Sequence, residues 1–258
     1  MTSLLEFHRE LDRWAEAGKT ARFWWRDDDA IAATPALDRL IAETEAVEAP
    51  LGLAVIPALE EPSLAARLQS APHVAVLQHG FRHINHAPVG EKKAEFGDHR
   101  TEDRMFHEML VGCGALDDRY GARFTRIFVP PWNRIFDQPE LSLPLTGLKR
   151  ISTFKPRHSQ GPAMALRPIN THVDPIFWKK DKGFLGNEAA FAQVIGHLQA
   201  RRLAEDVNVD PSEPTGLLSH HLVQDDATWD FLRKVGQVIA RHPAAEWADP
   251  IDLAKDPR

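Results

Sequence analysis

Residues 79–83 read His-Gly-Phe-Arg-His, two imidazoles four positions apart. They follow an apolar run, residues 73–78 (HVAVLQ), whose length and composition predict a buried strand. A histidine pair at i, i+4 on a loop leaving a strand end can converge on one metal ion. The zinc-protease form of such a pair needs a glutamate beside the first histidine, and Gly80 stands there, so that chemistry is not on offer. His86, three residues further on, reads as a supporting or loop residue. Upstream, residues 21–26 (ARFWWR) form a second strand-like run that empties into Asp27-Asp28-Asp29. Three consecutive carboxylates repel one another, and a cation or a proton relieves the repulsion. One of them can then bind metal while a neighbour stays free as a base. The same three residues also suit an ordinary turn with a helix start behind it. Downstream, Leu217-Leu218-Ser219 leads into His220-His221, another apolar run ending in imidazoles. A neutral imidazole beside a metal site is a natural general acid or base near neutral pH, and it equally suits a buried strand cap. In Pro130-Pro131-Trp132-Asn133-Arg134 the two prolines fix the direction of the Trp132 N–H, as an oxyanion donor requires.

The elements that must position these groups alternate. Strands are expected at residues 21–26, 51–57, 73–78, 126–129, 151–154, 216–219 and 245–247. Helices are expected at 3–17, 35–47 behind a Thr34 cap, 63–69 capped by Ser63, 101–120 weakened at Gly112 and Gly114, 138–148, 187–203 capped by Asn187, and 225–241. Residues 80–100 form a polar stretch long enough to be a functional loop. Repeated β-then-α order implies an α/β fold with a parallel sheet or barrel in one domain over residues 1–258, the helix at 3–17 packed against it. A barrel is favoured because chemistry-bearing residues recur at strand ends along most of the chain.

Composition bounds the function. With 258 residues, 43% hydrophobic and 26% charged, the chain can bury a large core. Its net charge of -6 gives no pull toward nucleic acid or an anionic membrane, and no apolar run approaches the roughly 18 residues of a membrane span. The single cysteine, Cys113, excludes an intrachain disulfide and reads as a core residue in a helix. The charged N-terminus lacks the apolar centre of a signal peptide, so a cytoplasmic location is expected.

Taken in order, Asp28-Asp29, His79/His83, Pro131-Trp132 and Leu218-Ser219-His220 resemble the polysaccharide deacetylases, the NodB-homology domain of carbohydrate esterase family 4. The resemblance runs from about Arg22 to His221. It implies a distorted (β/α) barrel of about seven strands and one divalent metal, zinc foremost, held by Asp29, His79 and His83. It implies Asp28 as general base, His220 as general acid and Trp132 as oxyanion donor, with Asp174 and Trp178 supporting His220. The implied activity is hydrolytic removal of an acyl group, acetyl foremost, from an N-acylated sugar or related amide, with a small-molecule or oligosaccharide substrate. The alternatives are hydrolysis of another carbon–nitrogen bond in a small metabolite, and a degenerate barrel that binds carbohydrate or a partner. Three departures stand out. The arginine before the proline turn is Val129 here, so the contact that orients the base is missing or supplied by Arg134 or Arg26. Gly80 replaces a serine or threonine, and Ala30-Ile31 replaces a glycine-proline. The third aspartate also leaves two registers, Asp27-Asp28 or Asp28-Asp29, of which the Arg-x-Asp-Asp arrangement favours the second.

Overall fold

The computed structural model describes residues 4–137, 143–158, 167–179 and 182–255. Seven strands are joined by parallel pairings: β1 (Ala21–Ala30), β2 (Leu51–Val55), β3 (Val74–His79), β4 (Phe124–Val129), β5 (Arg150–Ile151), β6 (Thr215–Ser219) and β7 (Ala245–Trp247). The sheet order is β5-β4-β3-β2-β1-β6, and β7 pairs with β1. Helices α1 (Leu4–Glu16), α2 (Pro35–Ala46), α3 (Pro62–Leu68), α4 (Glu102–Tyr120), α5 (Asn187–Leu203), α6 (Asp226–Arg241) and α7 (Pro250–Ala254) complete the fold. The gap between edge strands β5 and β6 is spanned by residues 169–173. Ile169 and Thr171 donate their amides to the carbonyls of Ile151 and Thr153, while His172 and Val173 donate to Gly216 on β6. The sheet is thereby stitched into a distorted barrel, α/β as the sequence implies.

Strands covered on both faces read as continuous apolar runs, which is why most were visible in the sequence. On β1 alternate side chains serve two cores. Phe23 and Trp25 pack under the helices, whereas Trp24 joins Ala54, Leu77, Ile127 and Val129 in the barrel interior. Both β1 indole N–H groups have a partner, Trp24 donating to the Asn170 carbonyl at 2.9 Å and Trp25 to the Ser219 hydroxyl at 2.8 Å.

Some boundaries differ from the sequence reading. β1 does not stop at Arg26 but carries all three aspartates to Ala30, with an irregularity after Asp27. Ser63 does not cap α3: Pro62 opens the helix, and the Ser63 hydroxyl accepts instead from the Ala33 amide at 3.2 Å. Asn187 is the first helical residue and Gly186 the cap. Gly112 does not break α4; a Cβ there would lie 2.5 Å from the Gln78 amide nitrogen, so the glycine lets helix and strand close up. Of the helix expected at 138–148, residues 138–142 lie outside the described residues, and Leu143–Thr146 is a single 3-10 turn. α7 was not foreseen. Among the described residues no helix is long and apolar enough to cross a membrane.

Candidate metal centre and active site

The three aspartates at the end of β1 go to three places. Asp27 faces away from the barrel interior. Its carboxylate accepts the Ser219 hydroxyl at 2.5 Å and the His221 amide at 3.0 Å, and its other oxygen meets His221 Nδ1 at 2.5 Å. Burial disfavours protonation of His221, but the Asp27 charge outweighs it and the imidazole pKa is raised. Asp27 is thus fully used inside the fold.

Asp28 shares the opposite face with Arg26, two residues earlier, as strand alternation requires. Both side chains are almost wholly buried. Arg26 Nη2 donates to Asp28 Oδ2 at 2.9 Å, and Nε lies 2.9 Å from Oδ1 in a close ion contact that is not aligned as a hydrogen bond. Asp28 Oδ1 is therefore a buried acceptor whose hydrogen-bonding capacity is unspent. Arg26 also donates to Asn133 Oδ1 at 2.7 Å and to the Ser152 hydroxyl at 2.8 Å, tying Asp28 to the proline turn and to the end of β5. The Arg134 guanidinium points elsewhere, donating to the Lys93 carbonyl at 2.8 Å.

Asp29 adopts φ 75°, a left-handed conformation that breaks the alternation and swings its carboxylate toward β3. Its Oδ1 lies 3.0 Å from His79 Nε2 and 3.2 Å from His83 Nε2. Burial opposes the Asp29 charge, but the hydrogen bond and charge of His79, with His220 and His83, hold the carboxyl well below the usual carboxylate range. His79 ends β3, and its Nδ1 faces the Val129 carbonyl at 3.0 Å. A carbonyl only accepts, so in the neutral ring the proton sits on Nδ1 and the Nε2 lone pair faces Asp29, whereas the protonated ring donates to Asp29 from Nε2. His83, at φ 57°, closes the loop from the other side, its ring 5.1 Å from that of His79 and 4.5 Å from that of Trp132.

The donor set fits a divalent cation. One carboxylate oxygen and two imidazole nitrogens lie within 4.8 Å of one another. Lone pairs at these separations repel unless a proton or a cation stands between them. Tetrahedral ligands about 2.1 Å from zinc are roughly 3.4 Å apart, close to the spacing of this cluster. The pKa of His79 reflects the same crowding: burial lowers it, but Asp28 and Asp29 prevail and raise it overall. The pKa of His83 is lowered, first by burial and then by His79.

His220 stands across the site with Nε2 3.9 Å from Asp28 Oδ2, while its Nδ1 is buried without a partner among the described residues. Trp178 meets the His220 ring edge-on at 4.7 Å and donates its indole N–H to Asp174 at 2.7 Å. Burial pushes the Asp174 carboxyl up. Trp132 takes φ 56°, an outlier for a bulky residue. The amides of Asn133 and Arg134 are bound to the Pro130 and Pro131 carbonyls, and Trp132 N–H has no hydrogen-bond partner among the described residues. His86 is exposed on the loop and does not join the cluster. Sequence reasoning missed Asn133 and Ser152 as partners of Arg26, and Glu95, whose carboxylate accepts the amides of Phe81 and Arg82 behind the histidine loop. No spacing signal points to any of these three.

A second cluster, His172, His197 and Glu213, also brings its donor atoms within 4.8 Å. It does not fit a cation. The Gly216 amide donates to His172 Nδ1 at 2.9 Å, so that ring carries its proton on Nε2, facing Glu213 at 3.3 Å. The two rings stack 3.5 Å apart and 12° from parallel, so their in-plane lone pairs run side by side instead of converging.

No protein-family profile and no curated protein matches the sequence. Solved structures do match, and they share this fold. An inferred polysaccharide deacetylase from Mycobacterium smegmatis is 16% identical, with TM-score 0.61, over 92% of this chain and 90% of that one. A family 4 acetyl xylan esterase from Clostridium thermocellum, solved with a cobalt ion, is 13% identical with TM-score 0.52, over 90% of this chain and 89% of that one. A CE4-family pseudoenzyme from Bacillus anthracis is 13% identical with TM-score 0.51, over 92% of this chain and 66% of that one.

Proposed function

We propose that this chain is a divergent member of the polysaccharide deacetylase family. It hydrolyses an acyl group, acetyl foremost, from an N-acylated sugar or related amide, using a divalent cation held by Asp29, His79 and His83. The observation that carries this reading is the convergence of those three donors at the C-terminal ends of β1 and β3, beside a buried carboxylate with an unspent oxygen. A divalent cation there supplies Lewis-acid polarisation of the acyl carbonyl and makes water nucleophilic near neutral pH, and a two-imidazole, one-carboxylate set suits zinc.

The chain's own groups divide the proton work. Arg26 fixes the Asp28 carboxylate, and Asp28 accepts the proton of the attacking water. The unused Trp132 N–H donates to the oxygen that gains charge as the carbonyl carbon becomes tetrahedral. His220 protonates the leaving nitrogen as its bond to carbon breaks, giving a carboxylic acid and an amine. Trp178 presents its exposed ring at the same wall, a surface on which the apolar face of a sugar can rest.

The pseudoenzyme likeness and the loss of the arginine at Val129 favour a second reading, binding without turnover. The Arg26–Asp28 pair speaks for turnover, because the orienting cation is present from another position. Amine release from N-acetylated oligosaccharides and small amides, with and without EDTA, separates the two. The proposal expects release that EDTA abolishes and zinc or cobalt restores. Turnover that ignores EDTA and survives Asp29→Ala would overturn it.

A further inference from the structure

Behind the histidine loop lies a buried carboxylate that the proposed chemistry does not use. Glu95 is 1% exposed. Its Oε1 accepts the Arg82 amide at 2.7 Å and its Oε2 the Phe81 amide at 3.2 Å. Among the described residues no lysine or arginine side chain pairs with it, so backbone amides alone satisfy the charge, as in an anion-binding nest. Burial raises the Glu95 pKa in spite of those amides.

The backbone held this way is the one that presents both imidazoles. His83 sits at φ 57° within it, a conformation that a non-glycine residue keeps only when its surroundings fix it. Gly80, the position that departs from the resembled pattern, sits at φ 55° against the same carboxylate. A Cβ on Gly80 would lie 2.1 Å from Glu95 Oε2 and 2.6 Å from the Pro131 ring. Glycine and glutamate are therefore a matched pair: the space a side chain at position 80 would need is filled by a side chain from position 95.

The segment that delivers Glu95 is itself fastened to the site. Asn85 Oδ1 accepts the Ala94 amide at 3.0 Å, and the His86 amide donates to the Ala94 carbonyl. Phe96 bridges to Ile135, and Arg134 donates to the Lys93 carbonyl. Arg134 thus ties the segment to the turn that carries Trp132.

We infer that Glu95 is a positioning residue for the cation site, its carboxylate holding residues 80–84 so that His83 faces Asp29 and His79. This rests on the proposed cation site and adds to it a residue that touches neither cation nor substrate. Supporting residues of this kind shift metal affinity by about 10–100-fold when removed.

The test is titration of the metal-free protein with Co2+, followed by its visible absorption bands, alongside thermal unfolding of the metal-free form. Wild type, Glu95→Gln, Glu95→Ala and Gly80→Ala are compared. The expected result is Co2+ binding about 10–100-fold weaker in the three variants, with altered bands, while metal-free Glu95→Gln stays folded. Unchanged affinity and bands in a folded Glu95→Gln or Glu95→Ala protein would overturn this inference and leave the cation site standing. Failure of even Glu95→Gln to fold would also overturn it, since the carboxylate would then serve the fold and not the ligand. Absence of Co2+ binding by the wild type would overturn both readings.

Discussion

Replacing Arg26 by methionine removes the only arginine or lysine paired with Asp28 among the described residues and leaves a carboxylate at 4% exposure without that counter-charge. Removing one member of a buried ion pair costs about 3–5 kcal/mol. The Asn133 amide oxygen and the Ser152 hydroxyl lose their donor as well, at about 1 kcal/mol each where water does not replace it. The charge sets the scale, and it is a large fraction of the roughly 5–15 kcal/mol by which a domain is stable. At about 2–4 °C per kcal/mol for a chain of this size, Arg26→Met lowers Tm by roughly 6–20 °C. Asp28→Asn keeps an acceptor for Arg26 and costs less. The double variant removes both charges and recovers part of the Arg26→Met loss, so the cycle shows a coupling of about 2–4 kcal/mol. Urea unfolding of the four proteins, followed by tryptophan fluorescence, measures it. A cost below about 1 kcal/mol for Arg26→Met, or additivity within about 0.5 kcal/mol, would refute the view that Arg26 replaces the arginine missing at Val129.

Three other expectations follow from the same geometry. Asp28→Asn lowers kcat for acyl release by about 10²–10⁴ while Co2+ affinity by absorption titration changes little; a parallel loss of affinity would make Asp28 a ligand and not a base. The Asp28 and Asp29 charges raise the His79 pKa against burial, and the cation must displace that proton. Co2+ affinity therefore falls toward acid pH, by up to about tenfold per pH unit for each proton displaced, and a flat profile contradicts the ligand assignment. Burial, then His172, pushes the His197 pKa far down, so the unfolded chain binds the extra proton below its own pKa of about 6.5 and stability falls as the pH drops. Between pH 6.5 and 5.5, wild type loses about 1 kcal/mol more than His197→Gln in urea unfolding; equal slopes would show that His197 is free to protonate in the fold.

The parts of this account that sequence could carry are those governed by one periodicity. Runs such as residues 73–78 announce strands because both of their faces are buried, one under the helices and one in the barrel interior. The pairing of Arg26 with Asp28 follows from period two alone. The same rule misleads at Asp29, for strict alternation would put it on the face of Asp27. The positive φ and the irregular register after Asp27 undo the parity, and no residue type announces them. Closure of the barrel by residues 169–173 was equally illegible, because PIN-THV carries neither an apolar run nor clean alternation, and its hydrogen bonds go to strands distant in sequence. Glu95 lay inside a polar loop whose length suggested function. Its role depends on a missing Cβ at Gly80, fifteen positions earlier, which only the folded backbone displays.

The central claim is that Asp29, His79 and His83 hold one divalent cation. It is tested most directly by the zinc or cobalt content of the metal-free protein after reloading and removal of excess metal, for wild type and Asp29→Ala. About one equivalent in the wild type and a small fraction of that in the variant is the predicted result. An empty wild type, or an Asp29→Ala protein that retains its full equivalent, would contradict it.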